Sequence, residues 1–155
     1  MDRPYARAPK GQRARARKPV DRGRTQTIVG ALGLEGWVAT LTFVGFLDHD
    51  WWLVFVRDLL VPALRPGDVV LVDRLNAHKK KATLALIEAA GARVLFLPRA
   101  TPDLNPIEHC WAKVKAILRK LAPRTHEALE QAIGIALASI TLADIWGFFA
   151  GCGYV

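Results

Sequence analysis

Apolar residues along this chain switch between two spacings, and the switches divide it into elements. Trp37, Ala39, Leu41 and Phe43 alternate with Val38, Thr40, Thr42 and Val44, the two-residue period of a strand whose side chains point to opposite faces. The segment before it, Thr25 to Leu32, reads as a second strand, and Gly33-Leu34-Glu35-Gly36 supplies the glycines of a turn. Residues 25–32 and 37–47 are therefore predicted to form a hairpin. Asp50-Trp-Trp-Leu-Val-Phe-Val-Arg-Asp-Leu-Leu60 then places apolar residues at helical intervals, until Arg65-Pro-Gly-Asp68 stops the segment.

Val69 to Val72 is a short, mostly β-branched run bounded by turn residues, which predicts a buried strand. Ala82, Leu84, Leu86, Ile87 and Ala90 mark the face of a helix that Gly91 ends. Arg93-Val-Leu-Phe-Leu-Pro98 predicts a further strand ended by proline, and Thr101-Pro-Asp-Leu-Asn-Pro106 a rigid loop. Asn105 is then placed to cap a helix with Pro106 at its first position and Trp111, Val114, Leu118 and Leu121 as its buried stripe. A last helix is predicted from about Glu127 to Ile140. This order implies an α/β fold, a mixed sheet with helices packed over it. Parallel crossovers between residues 50 and 120 would set the ends of strands 69–72 and 94–97 side by side.

Composition changes that picture little and charge changes it more. With 155 residues, 52% of them hydrophobic, the chain can bury one sizeable core. Its net charge of +8 is concentrated at the start, where residues 1–24 hold nine Arg and Lys against Asp2 and Asp21. Such a segment is too polar to fold alone. It reads either as a solvated arm or as a segment drawn to nucleic-acid phosphates by counterion release. Cys110 and Cys152 show no zinc-site spacing and read as reduced thiols of a cytoplasmic protein. Residues 28–47 are long and apolar enough to be considered as a membrane span, but Glu35 at the centre would be costly in lipid. No membrane association is expected, and no signal peptide is evident.

Two carboxylates stand out. Asp73 closes the 69–72 run, at the strand end where open α/β sheets place ligands, and Glu108 follows Asp103-Leu-Asn-Pro-Ile. Together they suit a hard divalent cation in phosphoryl transfer. Each also has a purely structural reading. Asp73 suits a turn or helix cap, and Glu108 falls three residues after Asn105, where a carboxylate favours the positive end of a helix. His78 and Lys79-Lys-Lys81 are equally compatible with phosphate contacts and with a solvated surface.

Leu71-Val-Asp73-Arg-Leu-Asn-Ala-His78-Lys79, followed by Leu97-Pro-Arg-Ala-Thr-Pro-Asp-Leu-Asn-Pro-Ile-Glu108, resembles the mariner-related bacterial insertion-sequence transposases of the DDE type. The resemblance extends over nearly the whole chain, from Arg7-Ala-Pro-Lys10 and Gly11-Gln-Arg13 to the closing Phe148-Phe-Ala-Gly-Cys-Gly-Tyr154. It implies a ribonuclease-H-like fold. It also implies that Asp73 and Glu108 are the second and third members of a catalytic acidic triad that holds Mg2+ or Mn2+ and cuts and joins DNA at the ends of an element. His78 and Lys79 near that site, with Arg13, Arg15 and Arg17 of the basic segment, are the expected DNA contacts.

Two departures from the family pattern stand in this sequence. Arg74 occupies the place where the family usually has Asn, next to the metal site. The strand carrying the first Asp lies in relatives before the Arg-Ala-Pro-Lys region, so residues 25–155 are expected to form a catalytic domain lacking its first strand, with 1–24 as a basic segment. The expectation is therefore a chain that binds metal weakly and does not cut DNA by itself. The alternative is a non-catalytic remnant or partner subunit that binds DNA, a separately encoded N-terminal half, or a second copy of itself.

Overall fold

Alternation builds the hairpin as predicted. β1 (Gln26–Gly33) pairs antiparallel with β2 (Gly36–Val44) around the Leu34-Glu35 turn. Gly36 holds φ +135, a conformation that side chains disfavour, and the register shifts between Ala31 and Leu32 as a bulge. The structure, a computed structural model, describes residue 10 and residues 25–73, 80–99 and 101–155. β2 ends at Val44 rather than at residue 47, because Gly45 turns the chain with φ +121.

α1 (His49–Val54) starts one residue earlier than its apolar spacing suggested, since Asp48 caps it by accepting from the Asp50 and Trp51 amides at 3.0 and 2.9 Å. The predicted single helix over 50–60 proves to be composite. After α1 the turns widen to a π segment, Phe55–Leu60, and tighten to a 3-10 turn, Val61–Ala63, which carries Pro62. These turns bury Phe55, Val56 and Leu60 while Arg57 and Asp58 pair outside.

β3 (Val69–Val72) and β4 (Arg93–Phe96) pair in parallel, joined through α2 (Lys81–Ala89). The two strands begin level because the Gly67 amide donates to the Gly91 carbonyl at 2.8 Å and the Arg93 amide to the Asp68 carbonyl at 2.8 Å. Gly91 has φ +81, and a Cβ there would come within 3.1 Å of Pro66. This glycine is required twice, by its backbone and by the close approach. Among the described residues the four strands form two separate two-stranded sheets, β1–β2 and β3–β4, that together supply the antiparallel and parallel pairings of the expected mixed sheet.

One core serves both sheets. Val29 and Phe43 from the hairpin, Trp52, Phe55, Val56 and Leu60 from the helical turns, and Val72, Ile87 and Ala92 from the parallel layer form a single buried cluster. The chain divides into two compact units, one holding Arg24–Cys110 with Thr141–Val155 and the other holding Trp111–Ile140. In the latter, α3 (Pro106–Leu121) contributes buried Val114 and Leu118, and α4 (His126–Ala138) contributes Ala132, Ile133 and Ala136. The former closes with α5 (Leu142–Gly151), a helix that the apolar spacing did not predict. No single helix among the described residues is long and apolar enough to cross a membrane, and residues 28–47 form the hairpin instead.

Candidate active site

Strand pairing decides where Asp73 stands. The Leu97 amide donates to the Val72 carbonyl at 2.9 Å, so β3 and β4 end together. Asp73 is the first residue beyond that shared carboxyl edge, half-buried. The position matches the sequence expectation and follows from the parallel register, not from any local signal at Asp73.

Glu108 is placed by a chain of small devices after β4. The Thr101 hydroxyl donates to the Pro98 carbonyl at 2.9 Å, and a 3-10 turn, Pro102–Leu104, redirects the backbone. Asn105 is buried and extended, with φ −114 and ψ 101, and α3 starts at Pro106, whose missing N–H costs nothing in a first turn. The Glu108 amide donates to the Asn105 carbonyl at 3.0 Å and closes this turn, leaving the Glu108 side chain exposed near the positive helix end. From the other end of the chain, the Tyr154 hydroxyl donates to the Leu104 carbonyl at 2.9 Å and ties down the approach to α3.

Asp73 and Glu108 thus belong to one compact unit, at the end of β3 and the start of α3. Arg13, Arg15, Arg17, Arg74, His78 and Lys79 lie outside the described residues. Among the described residues, no group of three or more His, Cys, Asp or Glu is gathered to hold a metal ion. The two carboxylates offer oxygen donors suited to Mg2+ or Mn2+, but the described donors do not complete a site.

Neither cysteine is an exposed thiol. Both are buried, and burial, helped by the charge of Asp103, pushes the Cys152 thiol above its ordinary range and keeps it protonated. His109 was not singled out by sequence. Its ring lies against Phe148 with centroids 6.5 Å apart, and its Nε2 is buried without a hydrogen-bond partner among the described residues. The only sequence signal for it was its place after Glu108, because its aromatic neighbour comes from the unpredicted α5.

A cavity of about 720 Å³ opens beside these elements. Residues of β1, β2 and β3, the start of α3 and Phe149 of α5 line it. Glu35 and Arg65 at its rim approach to 3.5 Å, both well exposed. A pair so exposed contributes little to stability.

Residues 1–130 match the family profile of the DDE superfamily endonucleases. No curated protein matches the chain by sequence. Among solved structures, the pre-cleavage Mos1 transpososome is similar with a TM-score of 0.79 at 14% identity, over 98% of this chain and 48% of that one. The Mos1 strand transfer complex gives 0.78 at 15% identity, over 98% and 47%. The Mos1 mariner paired-end complex with Mn gives 0.79 at 17%, over 95% and 46%. At these identities the likeness is one of fold, the ribonuclease-H-like arrangement, and this chain spans about half the length of the chains it matches.

Proposed function

Since the chain belongs to the DDE superfamily endonucleases, we propose that it is part of the catalytic domain of a DNA transposase, acting on the ends of an insertion sequence and on target DNA. The observation that carries this reading is the pair of carboxylates on two elements of one fold unit. Asp73 follows β3 at the edge it shares with β4, and Glu108 stands in the first turn of α3. In this reading both are metal ligands. The likeness to Mos1 assemblies, one of them a complex with Mn, supports a divalent cation and a DNA partner.

Phosphoryl transfer with two cations needs more donors than two carboxylates. The described residues gather no such group, so we assign this chain alone no cleavage step. Its own contributions are to present Asp73 and Glu108 and to hold DNA. Residues 1–24 form the basic segment and 25–155 the catalytic domain. Arg13, Arg15 and Arg17, with His78 and Lys79, contact phosphates, an attraction that weakens as salt rises. In this reading a further donor comes from a separately encoded or upstream N-terminal half, and the assembly works on cytoplasmic, nucleoid-associated DNA.

The test is a nicking assay with Mg2+ and with Mn2+, run beside Mn2+ binding followed by electron paramagnetic resonance. The 155-residue chain is expected to retain DNA at low salt, to bind Mn2+ weakly and to leave the DNA uncut. Joined to an upstream segment with a strand ending in Asp, it should gain cleavage. Asp73→Asn or Glu108→Gln should then lower the rate by roughly 100-fold or more, since groups that only support a metal ligand already account for about 10- to 100-fold. Cation-dependent nicking by the chain alone, lost in Asp73→Ala, would show that the site is already complete and sink the two-part reading.

A further inference from the structure

Among the described residues β2 has a neighbour on one side only, β1. The Gly45 amide donates to the Thr25 carbonyl at 2.8 Å, and antiparallel bonding alternates from that pair along the register. Leu41 and Phe43 therefore bond to Val29 and Thr27, while the N–H and C=O groups of Thr40, Thr42 and Val44 point away from β1. The side chains of these three residues are exposed as well, because Ala39, Leu41 and Phe43 take the face turned to the core. Outward backbone groups on an exposed strand are open to another strand.

Natural sheets blunt such edges with lysines, prolines, bulges or inward charges. β2 has a bulge only at its turn end, where Val38 is the extra residue between the pairs Leu32↔Trp37 and Ala31↔Ala39. From Ala39 to Val44 it is regular, with no proline and no charge. Glu35 is the single charged residue from Thr25 to Leu47, in a chain whose net charge is +8. The edge therefore offers nothing to nucleic acid, which is held through cations, and it is where two equally basic chains can meet with least repulsion. Val44 is 43% exposed and Phe46, just beyond the strand, 79%, so apolar surface adjoins the open edge.

We propose that the β2 edge is a homodimer interface, at which β2 of a second copy pairs antiparallel across a two-fold axis at Thr42. In that register Thr42 faces Thr42 of the second copy and Thr40 faces Val44, so all three outward-bonding residues exchange both backbone bonds. The facing side chains are all β-branched, which suits a pleated surface, and a Thr–Thr pair sits at the axis. Two-fold pairing uses the same edge on both copies and so closes on itself. One four-stranded sheet then replaces two hairpins, each the weaker unit when alone. The interface uses neither Asp73 nor Glu108, nor metal or DNA, and so stands independently of the reading of function.

Sedimentation velocity of the full 155-residue chain over a concentration series, with amide hydrogen exchange on the same samples, tests this. The chain should pass from monomer to dimer as concentration rises. High salt should leave the dimer in place, since backbone pairing is uncharged whereas bridging by nucleic acid weakens with salt. In the dimer the amides of Thr40, Thr42 and Val44 should exchange at least tenfold more slowly than in the monomer, with those of Leu41 and Phe43 protected in both. Thr42→Lys sets two like charges against each other at the axis and should weaken dimerisation about fivefold. Its side chain lies in solvent and its backbone outside the β1 ladder, so protected Leu41 and Phe43 amides report an intact hairpin. Mixing Thr42→Lys with Thr42→Glu should restore pairing as a heterodimer, because position 42 faces only itself.

A chain that stays monomeric at every concentration overturns the proposal, as does a dimer whose Thr40, Thr42 and Val44 amides remain fast, which would mean a different surface. Protection of those amides already present in the monomer would mean that this chain covers its own edge. Species beyond the dimer would mean pairing that does not close, and a Thr42→Lys chain that dimerises like the original would place the axis elsewhere. Each of these results sinks the interface. None of them touches the roles of Asp73 and Glu108, which are read from cleavage by the joined protein.

Discussion

The hairpin and the parallel pair are built from similar residues but are held in different ways. β1 and β2 are eight and nine residues long, joined by a two-residue turn, and bury Val29 and Phe43 to 8% and 6% exposure. β3 and β4 have four residues each, and Val69 and Leu95 remain 48% and 53% exposed. The hairpin closes through contacts near in sequence, whereas the parallel pair depends on α2 and on the latch between Gly67 and Gly91. Only the parallel pair carries a candidate ligand, Asp73. The edge with the candidate ligand therefore lies on the less self-sufficient sheet.

The shared core is what couples the two. Phe55 lies in the π segment, 1% exposed, in the same cluster as Val29 and Phe43 on one side and Val72 and Ile87 on the other. Phe55→Ala should therefore erase the contrast by weakening both sheets together. Truncating a buried Phe costs about 3–5 kcal/mol, a large part of the stability of a domain this size. Urea unfolding followed by tryptophan fluorescence should shift to lower denaturant in one transition. Loss of the hairpin with the parallel pair intact would mean that the core is divided.

A smaller change should sharpen the difference. Gly91→Ala puts a Cβ 3.1 Å from Pro66 at φ +81, and the combined backbone strain and overpacking should cost about 1–3 kcal/mol. The damage should fall on the latch, so that the β3 and β4 amides exchange faster while the hairpin amides between Thr27 and Phe43 keep their protection. Equal loosening of both sheets would show that the parallel pair is no more dependent on distant contacts than the hairpin.

The same contrast explains what could be read in the sequence. Alternation and paired glycines mark the hairpin because its partners are adjacent, and the β-branched run 69–72 marks β3 for the same local reason. That the two pairs stand as separate sheets is a matter of long-range pairing, which leaves no period in the chain. Asp73 and Glu108 stand out as candidates because each follows a legible boundary, a strand end and an Asn-Pro helix start. α5 was missed because Leu142–Gly151 is apolar nearly all round and interrupted by Gly147, so it shows no polar face to reveal a helical period. Its one legible mark was the capping box of Thr141 and Asp144, whose groups bond reciprocally at 3.2 and 2.9 Å. The widening of the helix at Phe55–Leu60 had no sequence mark at all.

The unpredicted C-terminus gives the finest test of how the site side is held. Tyr154 reaches back fifty residues to the Leu104 carbonyl at 2.9 Å, just before the turn that sets Asn105 and Glu108. Its ring also meets Phe149 edge-on at 6.3 Å. Tyr154→Phe keeps that packing and removes only the hydroxyl. Because the bond is exposed, its loss should cost at most about 1 kcal/mol, near the limit of a denaturation curve. The informative readout is local: the Asn105 and Glu108 amides, which close the 3-10 turn and the first turn of α3, should exchange a few-fold faster, with the hairpin unchanged. If those amides do not respond, the start of α3 is fixed by Pro106 and the buried Asn105 alone, and the C-terminus only covers it.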